Sequence, residues 1–219
     1  MQTTHTLADP RVRAALDTMF ARAEHDDAIA ARTRAERPGS LGDTPQDLAD
    51  TMAEIYMPVS RTGGELLYNL VRATRPDTVV EFGMSFGIST LYLAAAVRDN
   101  GVGQVITTEL SEAKIAAAAR TFADTGLDDV ITVLGGDARR SLADLDGPVG
   151  FVLLDGWKDL CLPVLRLLEP RLSPGTLVVA DDVVMDDLRP YLDYVRAPEN
   201  GYRSVTFPVE DGMEISCRL

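Results

Sequence analysis

Between residues 78 and 181 the chain repeats one pattern, and that repetition constrains its fold more than any other feature. Short runs rich in Val, Ile and Leu alternate with stretches in which apolar residues recur at helical spacing. The runs at 78–83, 104–109, 130–134, 149–155 and 176–181 read as buried strands. Helical patterns separate them at 89–97, 111–124, 138–145 and 160–168, and a last one follows at 187–195. Strands alternating with helices predict an α/β fold, Rossmann-like and doubly wound, with a mostly parallel sheet covered on both faces. Residues 202–208 and 213–218, joined by Glu210-Asp211-Gly212, read as an antiparallel hairpin that completes a seven-stranded sheet.

Upstream, residues 10–37 are rich in Ala, Arg, Glu and Asp and carry Val12, Leu16, Met19 and Phe20 at helical spacing. Pro38-Gly39-Ser40 and Gly42-Asp43 break this helix, a second runs over about 45–56, and a third over about 62–73. Residues 1–57 are therefore expected to form a helical arm or lid, packed on the sheet or on a second subunit, ahead of a Rossmann-like domain at 58–219. At 219 residues the whole fits a single globular domain.

The charge balance narrows the partners. Thirty-four acidic against 21 basic residues give a net charge of −13, and the arginines are scattered, so a phosphate backbone would be repelled and no nucleic acid is expected. No apolar run approaches the ~20 residues that span a bilayer, the N-terminus is polar, and Cys161 and Cys217 have no paired spacing. A cytoplasmic protein with two free thiols and no membrane partner follows. His5 and His25 sit in the arm and read as solvated surface residues.

In open parallel sheets ligands bind beyond the carboxyl ends of the strands. Here those ends are polar. Glu81-Phe-Gly-Met-Ser-Phe-Gly-Ile-Ser89 follows the first strand, with glycines that permit close backbone approach and Ser85 and Ser89 beside a helix N-terminus, which suits the carboxylate of an amino-acid-like ligand. The spacing is not the G-x-G-x-x-G of dinucleotide sites. Glu109 ends the second strand, where an acid can accept both ribose hydroxyls. Gly135-Gly136-Asp137 ends the third and places a carboxylate to receive an adenine amino group. Singly, Glu109 and Asp137 fit helix caps equally well. Together the three strand ends favour an adenosine-containing ligand.

The fourth strand ends in Leu154-Asp155-Gly-Trp157-Lys158 and the fifth in Ala180-Asp181-Asp182. Three carboxylates at one rim call for a cation, with Mg²⁺ the natural hard ion, unless Asp155 caps the next helix and the Asp pair is a solvated turn. Lys158 beside them can act as general base if a metal and a dry pocket lower its pKa.

With these residues in view, the chain resembles catechol O-methyltransferase and the bacterial metal-dependent O-methyltransferases. The resemblance runs from about Met57 to Glu214 through Met57-Pro-Val59, Val80-Glu-Phe-Gly83, Glu109, Asp155-Gly-Trp-Lys158, Ala180-Asp-Asp182 and Asp211-Gly-Met-Glu214. It implies a transferase that moves the methyl group of S-adenosylmethionine to a hydroxyl of a small molecule, a catechol-like phenol or vicinal diol; the exposed N-terminal helices separately lead to the expectation of a homodimer. By resemblance Met57 lies near the transferred methyl, and Val59, Glu81, Gly83, Ser85 and Ser89 hold the methionine part. Glu109 takes the ribose and Asp137 with Trp157 the adenine, and Leu110, Gly136, Ala138 and Asp155 complete the cofactor-binding set. Asp155, Asp181 and Asp182 hold the metal, Lys158 takes the proton, and Asp182 and Glu214 orient the acceptor. The family often has Asn where this chain has Asp182, and the residues walling a catechol pocket have no clear match around Ile55 and Asp186. Two other readings share the sheet: an NAD-dependent oxidoreductase, which lacks its glycine pattern here, and a non-catalytic cofactor-binding subunit.

Overall fold

The computed structural model describes residues 5–37, 39 and 41–219; Met1–Thr4, and Pro38 and Ser40 of the expected helix-breaking triplet, lie outside the described residues. The predicted alternation is present. Strand β1 (Thr78–Phe82) is followed by β2 (Gln104–Glu109), β3 (Ile131–Gly135), β4 (Val149–Leu154) and β5 (Leu172–Ala180), all parallel, and by β6 (Tyr202–Phe207) and β7 (Met213–Arg218). They form one seven-stranded sheet in the order β3-β2-β1-β4-β5-β7-β6, with the last two strands antiparallel. Strand order reverses between β1 and β4, so a crevice opens there beyond the carboxyl ends.

The arm consists of α1 (Pro10–Ala23), α2 (Asp26–Glu36) and α3 (Pro45–Thr51), and α4 (Arg61–Thr74) leads into the sheet. The single helix expected over 10–37 breaks at Glu24-His25. Crossovers are α5 (Ile88–Asn100), α6 (Glu112–Thr125), the short α7 (Ala138–Ser141) and α8 (Cys161–Leu168), and α9 (Arg189–Arg196) precedes the hairpin. One face of the sheet packs against α1, α4, α5 and α6 through Val12, Leu16, Met19, Leu67, Leu91, Leu93 and Phe122; the other packs against α7, α8 and α9. Helix α5 is buried over nearly its whole length, and each Leu or Val it removes from water contributes about 1.5–3 kcal/mol. Its backbone is therefore a rigid base for the loop that precedes it.

Among the described residues no helix is long and apolar enough to cross a membrane. Cys161 and Cys217 are free thiols, as expected, and His5 and His25 are exposed.

Candidate active site

Register decides what meets at the crevice. Glu81 lies beside Thr107 of β2 and Leu153 of β4, and Leu154 lies beside Ala180, so the residues just past these strands, Gly83, Asp155 and Asp181, fall side by side. Gly83 has φ +97°, and a Cβ there would stand 2.5 Å from the Gly156 nitrogen. The glycine is thus demanded by the β4–α8 loop passing against it, in addition to any ligand.

Glu81 is fully buried. Ser89 Oγ donates to its Oε1 at 2.5 Å, and Thr90 and Thr107 hydroxyls donate to Oε2 at 2.5 Å each. Burial pushes this carboxyl up to about 7 against the pull of the three donors. Ser89 and Glu81 therefore satisfy each other beneath the loop. What faces the crevice is the N-terminus of α5, whose cap position is Gly87 in a left-handed conformation with no side-chain cap.

Glu109 ties two loops together: Oε2 accepts Ser85 N–H, and Oε1 accepts the N–H groups of Leu110 and Ser111, all at 2.8 Å. A carboxylate offers about four lone-pair sites, so room is left for roughly one further donor instead of two ribose hydroxyls. Asp137 caps α7 by accepting Arg139 N–H at 2.9 Å and pairs with the Arg139 guanidinium at 2.7 Å, hydrogen bonds that hold its carboxyl below the usual range. A cavity of about 690 Å³ opens between these strand ends, lined by Leu110, Gly135 and Gly136 below and by Gln46 and Asp50 of α3 above. Gly136, with φ +97°, has nothing within 4 Å of where a Cβ would stand.

At the rim of β4 and β5, Lys158 is 8% exposed and its Nζ lies 2.9 Å from both Asp155 Oδ1 and Asp182 Oδ2. Burial pushes the ammonium down, but the charges of Asp155 and Asp182 outweigh it and hold its pKa above the ordinary lysine range. Burial raises Asp155 as well, and Asp181 is pushed up to about 8 by burial and by repulsion from Asp155 and Asp182. Asp182 adopts φ +60°, a left-handed backbone in which Asn and Asp are the favoured side chains after Gly. Among the described residues no three His, Cys, Asp or Glu side chains are gathered into a ready metal cluster: two of the aspartates are bound to Lys158.

Residues 80–183 match a family described as a methyltransferase domain. The catechol O-methyltransferase of Sus scrofa is 30% identical over 65% of this chain and 80% of its own length. The chain belongs to this O-methyltransferase family. A protein of Mycobacterium tuberculosis described as a probable O-methyltransferase is 36% identical over 61% of the chain, and the match spans 60% of that relative's length. The O-methyltransferase of Bacillus cereus, solved in complex with SAH, shares the fold with a TM-score of 0.69, 19% identity, and coverage of 92% of this chain and 100% of that one.

For a family member, one expected site residue is diverted. Glu214 is 1% exposed, and its oxygens are bound by Arg196 at 2.7 and 2.8 Å and by Thr206 Oγ1 at 2.6 Å. Its register with Ala180 in β5 turns it toward α9, so it clamps the hairpin and is not brought to the Lys158 cluster. Met57 stands 43% exposed with φ +45°, Val59 and Ala138 are buried, and Trp157 is half-buried one residue before Lys158. Sequence reasoning missed Thr90 and Thr107, which hold Glu81, and two charged residues that reach the β1–α5 loop and the Tyr56 segment. Lys114, 3% exposed, donates to Ser85 Oγ at 3.1 Å and lies 5.5 Å over the Phe86 ring; burial pushes its ammonium down. The available signal was a lysine in the first turn of α6, where the helix dipole disfavours a cation. The other, Asp26, stands 30 residues upstream of its partner Tyr56 and carried no signal.

Proposed function

We propose that this protein is an S-adenosylmethionine-dependent O-methyltransferase that methylates one hydroxyl of a small catechol-like phenol or vicinal diol with help from a divalent metal such as Mg²⁺. The observation that carries the reading is the buried Lys158 ion-paired to Asp155 and Asp182 at the strand ends beside the uncapped N-terminus of α5. The amides of that helix terminus suit the cofactor's carboxylate. Glu109 has capacity for one ribose hydroxyl, and the cavity between Leu110, Gly136 and α3 suits the adenosine end.

The transfer is an in-line displacement: an acceptor oxygen attacks the methyl carbon, the bond from carbon to sulfur breaks, and the sulfonium becomes a neutral thioether. Asp155, Asp181 and Asp182 are hard oxygen donors of the kind a divalent ion takes, and the repulsion that raises Asp181 is what such an ion would relieve; to bind all three it would have to draw Asp155 and Asp182 away from Lys158. Bound there, such an ion would supply Lewis-acid activation of the acceptor hydroxyl. Lys158 Nζ is the proton-handling group of the chain. While both carboxylates press on it, it is an ammonium that stabilises the developing oxyanion; were their charge shared with a cation, its pKa would fall, it would release its proton to solvent, and the neutral amine could then accept the proton of the acceptor hydroxyl. The same reading places the protein in the cytoplasm as a homodimer with no nucleic-acid or membrane partner.

The test is methyl transfer from S-adenosylmethionine to a panel of dihydroxy and monohydroxy acceptors, with and without Mg²⁺ and in excess chelator. Methylation of vicinal dihydroxy compounds that stops in chelator is the expected result. Full activity in chelator removes the metal, and no transfer to any hydroxyl removes the reading.

A further inference from the structure

Helix α2 fully buries none of its side chains: Ile29 and Ala30 are half-buried, and no residue of the helix belongs to either hydrophobic core. Its directional attachments are polar. Arg32 pairs with Glu54 at 2.6 Å on the surface, and Arg37 donates to Thr51 Oγ1 at 2.6 Å. The third is different in kind. Asp26, in the first turn, accepts the backbone N–H of Tyr56 at 2.9 Å and that of Met57 at 2.8 Å, one on each carboxylate oxygen. Exposed ion pairs contribute little, whereas two charge-assisted hydrogen bonds to backbone fix both position and direction.

The same segment is gripped from the opposite side. Ser85 Oγ donates to the Tyr56 carbonyl at 2.6 Å, and Lys114 in turn donates to Ser85. The Tyr56 ring stacks on Phe86 with centroids 4.0 Å apart and planes 17° from parallel. Ser85 and Phe86 belong to the β1–α5 loop, the one leading into the helix terminus described above. Met57 is held with φ +45°, a conformation that a non-glycine residue keeps only when its surroundings over-determine it.

We infer that Asp26 is a positioning residue: it latches the polar helix α2 onto the Tyr56–Met57 strap and so holds the strap closed over the cofactor loop. This rests on the reading that the loop takes S-adenosylmethionine. The two bonds at Asp26 break without themselves exposing core; Tyr56, 8% exposed and part of the core shared with α1 and α5, stays seated, and release at Asp26 frees the exposed Met57 to give the cofactor a route. Lys114, through Ser85, is the opposing half of the clasp.

The experiment compares the full-length protein with Asp26→Ala and Asp26→Asn. Hydrogen exchange at the Tyr56 and Met57 amides is read together with the affinity and dissociation rate of S-adenosylhomocysteine, KM for S-adenosylmethionine, and kcat. In Asp26→Ala the two amides should exchange roughly tenfold or more faster, and the product cofactor should bind and stay bound roughly tenfold more weakly, the scale of losing charged hydrogen bonds. KM should rise more than kcat falls, with unfolding little changed. Asp26→Asn, which keeps one oxygen acceptor, should fall between, and it serves alone if the alanine variant does not fold. Unchanged exchange at both amides overturns the latch, and faster exchange with unchanged cofactor affinity and dissociation overturns its positioning role. Should the wild type itself bind no S-adenosylhomocysteine, the cofactor reading fails and the exchange measurement still decides the latch.

Discussion

Glu81 stands at the meeting point of strand register and site, because Thr107 reaches it only through the parallel pairing of β1 with β2. Its carboxyl, at about 7 in the fold, lies above its ordinary value of 4.5, so the native state holds a proton more tightly than the unfolded chain does. The stability it contributes is full below pH about 4.5 and declines as pH rises through about 7, by at most about 3 kcal/mol. Glu81→Gln removes that titration, since rotating hydroxyls can face an amide. Relative to wild type, the variant should gain stability between pH 5 and pH 8 in urea unfolding; a constant difference across that range would refute a raised Glu81. Lys158 makes a different prediction. Lys158→Met should lower kcat by about 10²–10⁴-fold while leaving S-adenosylhomocysteine affinity nearly unchanged. An active variant would leave the ion pair a purely structural role. Asp155, Lys158 and Asp182 were legible because each closes or follows a strand, where polar residues stand out. The diversion of Glu214 to Arg196 was not, because the partner comes from a helix packed by tertiary contacts.

At the scale of elements, strands were read to within a residue or two wherever β-branched runs end abruptly, as at Gln104–Glu109 and Met213–Arg218. Strand β5 begins earlier than expected, at Leu172, because it carries Ser173-Pro174-Gly175, residues that normally mark a turn and here accompany a register shift against β4. Helix α7 stops at Ser141 instead of reaching residue 145, and the helix expected over 45–56 stops at Thr51, freeing residues 52–57 to cross to Asp26 and Ser85. No local pattern encodes that crossing. The loops pressing Gly83 against Gly156 give the prediction proper to this scale. Gly83→Ala places a methyl 2.5 Å from backbone at positive φ, and neither loop can yield without displacing β1 or β4. It should cost at least about 2 kcal/mol in urea unfolding, more than a helix-surface Gly→Ala change, and weaken S-adenosylhomocysteine binding in parallel. A stable Gly83→Ala variant with wild-type binding would mean that the two loops are free to separate.

For the whole molecule, the question is whether the arm is a detachable lid. Its helices differ. Val12, Leu16 and Met19 of α1 are at most 5% exposed and share one core with Val79, Val105 and α5, whereas α2 has no buried side chain. Thr6 adds a tie at the start of the arm, with its N–H and hydroxyl on Asp99, which Tyr68 also reaches. The three buried side chains of α1 together contribute about 5–9 kcal/mol, comparable to the whole stability of many domains at about 5–15 kcal/mol. Helix α1 is therefore part of the folding unit, and within the described arm α2 and the exposed Met57 are placed to move, while Tyr56 shares the core with α1. Leu16→Ala should cost about 2–5 kcal/mol by leaving a cavity in the core, and Ile29→Ala in α2, where the side chain is only half-buried, under about 1 kcal/mol. Urea unfolding of the two variants, with removal of residues 5–25 as a third arm, decides it. Loss of a cooperative transition in the truncated chain and a wide gap between the point variants are expected; a cooperatively folded truncation, or equal costs at Leu16 and Ile29, would show the arm to be one detachable piece and place the moving boundary ahead of α1 instead of at His25.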